Sequence, residues 1–462
     1  MSYDEGSFRD PAGKIFYKFN RVFRHIFQSG EKRVNFIINK NILNQSVKKQ
    51  FLIPTKLLSQ KEKKILNLNR KSIILEHDKI PYISYPYEWS FYQLKEAALH
   101  HLNFHIFLLS KGATLIDASA YNIQFIGTKP TFIDILSIRE YEDGEFWLGH
   151  KQFCENFLNP LLLTSVKSVR FNNWFKGNLE GIHTEDLNSI LNIFDKFSYN
   201  IFVHVYLLSN FEKKYKLQNK NLDFSILKKL PKSGLINILQ QLKKFIQNLE
   251  PKKNITVWQN YSFINTYSNQ EIKTKAKIVK EFILNNRDQI IIDLGCNDGY
   301  YSKIAIKNGA KYVLGFDYDI NSIDRAFLKN KNQEKFLPLL FDATNPSSNI
   351  GWNEFERKSF NYRSKFHGLL ALAFIHHLVI AKNIPLKAAI DWLINLAPKG
   401  LIEFIPKNDF TVQKMIRFKG DIFPTYNEEN FKKFILRKAS IISIKKVTNS
   451  GRKIYEYQRK NI

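Results

Sequence analysis

The stretch IIIDLGCNDGYYSKIAIKNGAKYVLGFD carries the residues best suited by type and spacing to hold a ligand. An apolar run, Ile290 to Ile292, delivers Asp293, a turn containing Gly295 and Gly299 follows, and a helix leads on to Gly309. Without Cβ atoms, the two glycines permit a tight turn and let backbone N–H groups come close to a ligand beside a helix N-terminus. The D-x-G-x-x-x-G spacing is not the G-x-G-x-x-G that cradles a dinucleotide pyrophosphate. Asp317 closes the next strand (YVLGFD), where a carboxylate can accept hydrogen bonds from both hydroxyls of a ribose. Asp342 closes a third (PLLFD). One aspartate at a strand end is explained equally well as a helix cap or turn former, but three at successive strand ends point to a ligand. A fourth apolar run, GLLALAFIHHL, ends in His376-His377, where sheets of this kind bind substrate. An imidazole there could take a proton from a hydroxyl or an activated carbon; packing with a backbone hydrogen bond is the other account of either histidine.

These residues need an open parallel sheet to hold them. Short apolar strands are predicted over 290–294, 311–316, 337–341, 368–373 and 401–405, alternating with helices, which is the pattern of a doubly wound α/β fold. The motif and its acids resemble those of class I S-adenosylmethionine-dependent methyltransferases, whose ligand presents a sulfonium and an amino-acid carboxylate in place of phosphate. The resemblance implies a Rossmann-like domain whose sheet is completed by an antiparallel hairpin, here SIISIKKVTNSGRKIYEYQ with its turn at Asn449-Ser450-Gly451. It implies S-adenosyl-L-methionine as cofactor, held by Asp293, Gly295, Cys296, Asn297, Gly299, Asp317, Tyr318, Asp342 and Ala343, with Asp342 reading the adenine amino group. The end of the fourth strand lacks the Asn/Asp-Pro-Pro-aromatic motif of enzymes acting on base or amide nitrogens, and no cysteine stands there as in cytosine-C5 enzymes. Those absences lower a nucleic-acid reading; the acid series and the histidine pair lead to the expectation of a small-molecule or glycan-type acceptor methylated at oxygen or carbon, with His376 and His377 as the catalytic candidates. Beyond the core motif, the chain resembles a bacterial family of two-part methyltransferases, some of which carry a nodulation-protein label. That likeness rests on Trp258, Tyr261, Asn345-Pro346, Gly351-Trp352, Glu356-Arg357, GLIEFIPKND and Asp421-Ile422-Phe423. Glu403 within it either faces the substrate or pairs with a neighbouring Lys or Arg.

At 462 residues the chain exceeds one hydrophobic core, and the polar, proline-containing stretch 248–254 breaks a helical pattern, so domains are expected at 1–250 and 251–462. In the first, the segment Phe8 to Phe27 suggests a hairpin around Pro11-Ala12-Gly13, a helix is predicted over 91–110 between Ser90/Gln93 and Gly112, and 161–245 reads as mostly helical. Asp117 and Asn122 then reproduce the D-x-x-x-x-N spacing of a kinase catalytic loop, and Asp134 ends a following strand where kinases keep a metal-binding Asp. The segment resembles the C-lobe of small-molecule kinases, which would make Asp117 the base and Asn122 and Asp134 magnesium ligands. Leu115-Ile116 stands where a His-containing pair belongs and Ile135-Leu136 where Phe-Gly belongs, and neither a Gly-rich loop nor a V-A-I-K lysine is recognisable upstream. The expectation is an α+β, kinase-like domain without kinase activity; a turn at 127–130 between two strands is the local alternative.

The formal net charge of +28 invites a nucleic-acid reading, but it is diffuse: 35 Lys+Arg against 23 Asp+Glu in residues 1–250, and 35 against 19 in the rest. With Lys, Asn, Ile and Phe abundant and Gly scarce, it reads as compositional background. An RNA-modifying methyltransferase and a bifunctional kinase-methyltransferase are the alternatives. Two cysteines, Cys154 and Cys296, make no disulfide framework, and no metal-ligand cluster with zinc spacing is visible. The N-terminus has no apolar signal region and the longest apolar runs are shorter than a membrane span, so the chain is expected to be cytoplasmic, without membrane insertion.

Overall fold

The computed structural model describes residues 2–211, 213, 229–252 and 267–460. Trp258 and Tyr261, residues 212 and 214–228 in the expected helical stretch, and the end of the expected boundary at 253–254 lie outside the described residues. The chain divides into two compact units, Met1–Phe125, Pro130–Asn254 and Asn349–Arg357 in one, Ile126–Lys129, Ile255–Ser348 and Lys358–Ile462 in the other. Asn349–Arg357 therefore groups with the first unit: Glu356 takes the guanidinium fork of Arg9 at 2.8 and 3.0 Å, and the Arg357 guanidinium lies 4.4 Å from the Tyr121 ring. No helix among the described residues is long and apolar enough to cross a membrane.

The first unit begins with a four-stranded antiparallel sheet of β1 (Gly13–Lys18), β2 (Arg21–Ile26), β3 (Thr55–Leu57) and β4 (Ile73–His77), in the order β1-β2-β4-β3. The N-terminal hairpin is present, but its turn falls at Phe19-Asn20 and not at Pro11-Ala12-Gly13. Both turn residues have positive φ, 50° and 60°, the conformation that matches the right-handed twist of two paired strands. Asp10 instead forms a local turn, its Oδ1 accepting the Ala12 N–H at 2.8 Å, and feeds the chain into β1. The helix α1 (Phe91–Ser110) has the expected limits. Gln93 Oε1 accepts the Ser90 N–H at 2.9 Å as a capping box requires, and Gly112, with φ +74°, turns the chain out at the far end. Short strands follow as β5 (Ala113–Leu115), β6 (Ile123–Ile126), β7 (Lys129–Phe132) and β8 (Ile138–Glu140), with β5 paired to β8 and β6 to β7.

The second unit has the seven strands that the alternating pattern and the terminal hairpin required. They are β9 (Ile290–Leu294), β10 (Tyr312–Asp317), β11 (Phe336–Leu340), β12 (Gly368–Ala371), β13 (Lys399–Phe404), β14 (Ala439–Lys446) and β15 (Lys453–Arg459), in the order β11-β10-β9-β12-β13-β15-β14. The first five are parallel; β15 runs antiparallel to both β13 and β14. From β9 the chain winds outward first through β10 and β11 and then, in the opposite direction, through β12 and β13. The order therefore reverses between β9 and β12, and the carboxyl ends of those strands open a crevice. Helix α2 (Asn269–Leu284) starts at a capping box in which Ser268 N–H donates to Glu271 Oε2 at 2.7 Å. It lays Ile278, Val279, Phe282 and Ile283 against Ile291, Val313 and Leu370 of the sheet. Each such side chain taken fully out of water contributes about 1.5–3 kcal/mol, and this layer fixes the base from which the crevice residues project.

Candidate functional site

A cavity of about 500 Å³ opens at this reversal, bounded by the ends of β9, β10, β11 and β12 and by the start of α2. Asp293 lies inside β9 and Asp317 is the last residue of β10, while Asp342 stands just past β11; all three line the cavity. Gly295, Cys296, Asn297, Tyr318, Ala343 and His377 line it as well, and Gly299 does not. Gly299 does structural work: with φ +83° it is the residue before helix α3 (Tyr300–Lys307), and a Cβ on it would come within 2.8 Å of the Phe336 ring.

The motif turn is built differently from the way its glycines suggest. Three of its backbone N–H groups are taken up within the protein: Gly295 N–H and Cys296 N–H both donate to Phe316 O, at 2.8 and 3.1 Å, and Gly299 N–H donates to Cys296 O at 2.9 Å. Asn297 N–H donates to Asp317 Oδ2 at 2.9 Å. The glycine at 295 (φ +74°) thus serves to fold the loop back onto the end of β10, and the loop locks the Asp317 side chain in place. Asp317 Oδ1 accepts a second backbone bond from Asp319 at 2.9 Å, and Asp319 in turn caps helix α4 (Ile320–Lys329) through Ser322.

The buried Asp293 and the half-buried Asp317 carry an electrostatic strain. Burial pushes Asp317 up to about 6 against the pull of its two backbone donors, and pushes Asp293 up to about 6 although Ser302 Oγ donates to its Oδ2 at 2.6 Å. Asp342 is more accessible and folds back on Thr344, whose N–H and hydroxyl both donate to its Oδ1 at 2.9 and 2.6 Å. With Asp298 and Asp319 also in the lining, carboxylates outnumber the two lysines there, Lys275 and Lys382, and the site favours a cation.

The histidine pair divides. His376 is fully buried and lines no part of the cavity, its two ring nitrogens without hydrogen-bond partners, so the structure gives it no access to a substrate. His377 lines the cavity, and burial lowers it to about 4, leaving a neutral imidazole at pH 7. Glu403 does not face the cavity. It accepts Lys275 Nζ at 2.8 Å and the Ala373 N–H at 2.7 Å on Oε2, and the Tyr267 hydroxyl at 2.9 Å on Oε1. Of these partners Tyr267, Lys275 and Ala373 do line it, and Ala373 holds a positive φ of 51°. Sequence reasoning missed Lys275. The signal was present: in α2 it occupies the apolar stripe between Ile272 and Ile278-Val279, where a charge is out of pattern.

In the first unit, Asp134 is already engaged. Arg24 Nη1 donates to its Oδ1 at 2.8 Å and the Ser137 hydroxyl to its Oδ2. Asp117 Oδ1 accepts the Ser119 N–H at 2.8 Å, and burial together with the nearby Asp134 raises its pKa.

No protein-family model matches the chain. The nodulation protein NoeA of Rhizobium meliloti (strain 1021) is 41% identical over 459 residues, covering 98% of this chain and 95% of that protein. Among solved structures, the magnesium protoporphyrin IX methyltransferase ChlM from Synechocystis PCC 6803 with bound SAH shares 15% identity, over 48% of this chain and 95% of its own, at a TM-score of 0.30. The N-methyltransferase NodS from Bradyrhizobium japonicum WM9 shares 10% over 42% and 99%, at 0.32. Scores this low assign no reaction, which leaves the chemistry to be argued from the cavity itself.

Proposed function

The chain belongs to the family of the nodulation protein NoeA, and from its cavity we propose that it is an S-adenosylmethionine-dependent methyltransferase. The observation that carries the reading is that Asp293 and Asp317, on neighbouring parallel strands, both enter one cavity at the point where strand order reverses. Its volume of about 500 Å³ lies within the ~300–1,000 Å³ of small-ligand sites. Asp317 keeps lone pairs beyond the two given to backbone, and these accept the ribose hydroxyls. Asp342 and Ala343 would hold the adenine, and Asp293, Gly295, Cys296 and Asn297 would hold the amino-acid end. The Lys275 ammonium, with donors to spare beyond Glu403, would pair with the carboxylate there. When bound, the cofactor supplies an activated methyl group on a sulfonium, so alignment provides much of the acceleration. His377, neutral and cavity-lining, takes the proton of a hydroxyl or carbon acceptor on a small molecule or glycan.

Calorimetric titration with S-adenosylmethionine, S-adenosylhomocysteine and ATP tests this. Micromolar binding of the first two is expected, and absence of both sinks the proposal. A pH series sharpens the test. Both acids sit near 6 in the free protein, so below that value the site is protonated, and a ligand that needs the carboxylates ionised must expel those protons. Affinity is expected to be level above about pH 7 and to fall below about 6 by roughly tenfold per unit for each acid that must ionise, up to a hundredfold for the two together. A level affinity from pH 5 to 8 would take both acids out of the binding step.

For the first unit we propose a kinase-like scaffold without phosphotransfer. The favouring observation is the Arg24–Asp134 pair, which fills the would-be metal carboxylate with an internal cation. No transfer of phosphate from ATP with magnesium is expected, and Asp134→Ala is expected to leave cofactor affinity within about twofold. ATP-dependent phosphorylation of any acceptor, abolished by that substitution, would overturn it.

A further inference from the structure

His150, Cys154 and His204 meet in the first unit, and none of them lines the cavity described above. Their potential ligand atoms all lie within 4.8 Å of one another, with His150 Nε2 2.9 Å from His204 Nδ1 and 3.6 Å from Cys154 Sγ. Two imidazole nitrogens and a thiolate around a tetrahedral zinc, at ~2.0–2.1 and ~2.3 Å from it, stand roughly 3.3–3.6 Å apart. The two spacings from His150 are within about half an ångström of that arrangement, and Cys154 Sγ and His204 lie within 4.8 Å of each other. Without a metal, His150 Nε2 and His204 Nδ1 share one hydrogen bond, and the Cys154 sulfur stands against the same ring nitrogen.

The backbone supports the same conclusion. His150 opens a helical segment, His150–Phe153, that widens into a π-helical turn at Cys154–Leu158, and His204 sits in a second π-helical turn, Phe202–Leu207. Such turns are uncommon, carry a backbone cost, and recur where side chains must be aimed at a site. Cys154 and His204 are buried, His150 is half-buried, and the Trp147 ring lies 5.4 Å from that of His150. The burial of Cys154 and His204 leaves surroundings dry enough to strengthen a metal–thiolate bond.

We propose that His150, Cys154 and His204 form a three-ligand site for a thiophilic divalent transition metal, zinc foremost, with the fourth tetrahedral position left to solvent or a small ligand. Mixed imidazole and thiolate ligation selects zinc or copper over magnesium or calcium. On binding, Cys154 releases its thiol proton to solvent as the sulfur–metal bond forms, and the proton shared between the facing ring nitrogens moves to the far nitrogen of its own ring. The third ligand lies 54 positions from the first, a separation that no zinc-finger spacing predicts.

The test uses the full-length protein, reduced and stripped of metal, titrated with cobalt(II) and followed by absorption. One equivalent is expected to bind with a thiolate-to-cobalt charge-transfer band and tetrahedral d–d bands, and zinc is expected to displace it. Cys296→Ser should keep the charge-transfer band; Cys154→Ser should lose it; His204→Gln should weaken zinc binding at least as much as the ~10–100-fold that supporting partners of a metal site are worth. Failure of the wild-type protein to bind stoichiometrically, or a band that survives Cys154→Ser, overturns the proposal. Because the wild-type and Cys296→Ser measurements decide the question without Cys154 being altered, an unfolded Cys154→Ser protein does not rescue it.

Discussion

Glu403→Gln is expected to destabilise the second unit by about 3–5 kcal/mol at neutral pH, read as a lowered midpoint in urea or thermal unfolding. Lys275 and Glu403 are the most deeply buried ion pair among the described residues, with side chains 2% and 0% exposed and Nζ to Oε2 at 2.8 Å. Burial dominates the Lys275 ammonium and lowers its pKa, with Glu403 as the main force restoring it. With the carboxylate neutralised, nothing at hydrogen-bond distance compensates the charge, and the protein must bury a lone cation or deprotonate it. The pH dependence has a definite sign. A lysine whose folded pKa lies below its unfolded one binds fewer protons when folded, so the variant should recover stability as pH rises toward the ordinary lysine value of 10.5. Lys275→Met combined with Glu403→Gln should restore most of the loss, because a neutral pair of similar bulk escapes the desolvation cost. Additive losses in the double variant would mean that the two side chains act separately, Glu403 through Tyr267 and Ala373 alone.

What could be read from sequence here follows how local the determinants are. The motif turn was legible because Gly295 and Gly299 occupy left-handed φ that few other residues tolerate, and because Asp293 and Asp317 terminate apolar runs whose length already says strand. The use of the turn was not legible: whether the N–H groups of Gly295 and Cys296 serve a ligand or Phe316 depends on how β9 and β10 approach each other, which is tertiary. The first hairpin was placed correctly in the chain but around the wrong turn, since Pro11-Gly13 is the stronger local signal and Phe19 is a poor candidate for positive φ; strand pairing overrode the preference. His376 and His377 are indistinguishable by type and position, and only the π-helical turn that begins at His377 separates the buried ring from the one facing the cavity. In the cluster, His150 and Cys154 stand at i and i+4 of one helical stretch, a pairing the sequence could show, but His204 comes from a second helix 54 positions away and left no trace in spacing.

Asp317→Asn is expected to weaken S-adenosylmethionine binding by at least about 100-fold while leaving the free protein as stable as before or more so. Two hydrogen bonds to a charged acceptor are worth ~1.5–3 kcal/mol each, and a tenfold change in affinity is about 1.4 kcal/mol, so losing the anion costs two or more decades. The stability change opposes this. Asp317 is held at about 6 against an ordinary 3.8, which makes its ionised form a burden of roughly 3 kcal/mol on the empty protein at neutral pH. A carboxylate with a raised folded pKa binds more protons folded than unfolded, so stability falls as pH rises from the unfolded value through about 6, and the neutral amide removes that slope. Against the relief stand the bonds from Asn297 and Asp319, of which the asparagine oxygen can keep one at full strength. A residue that matters only for the fold would lose stability and binding together. Binding that falls while unfolding resists more denaturant is the mark of a group kept for its ligand, and calorimetry beside urea unfolding separates the two. Unchanged affinity in the variant would remove the ribose contact, and with it the principal reason to place this cofactor in the cavity.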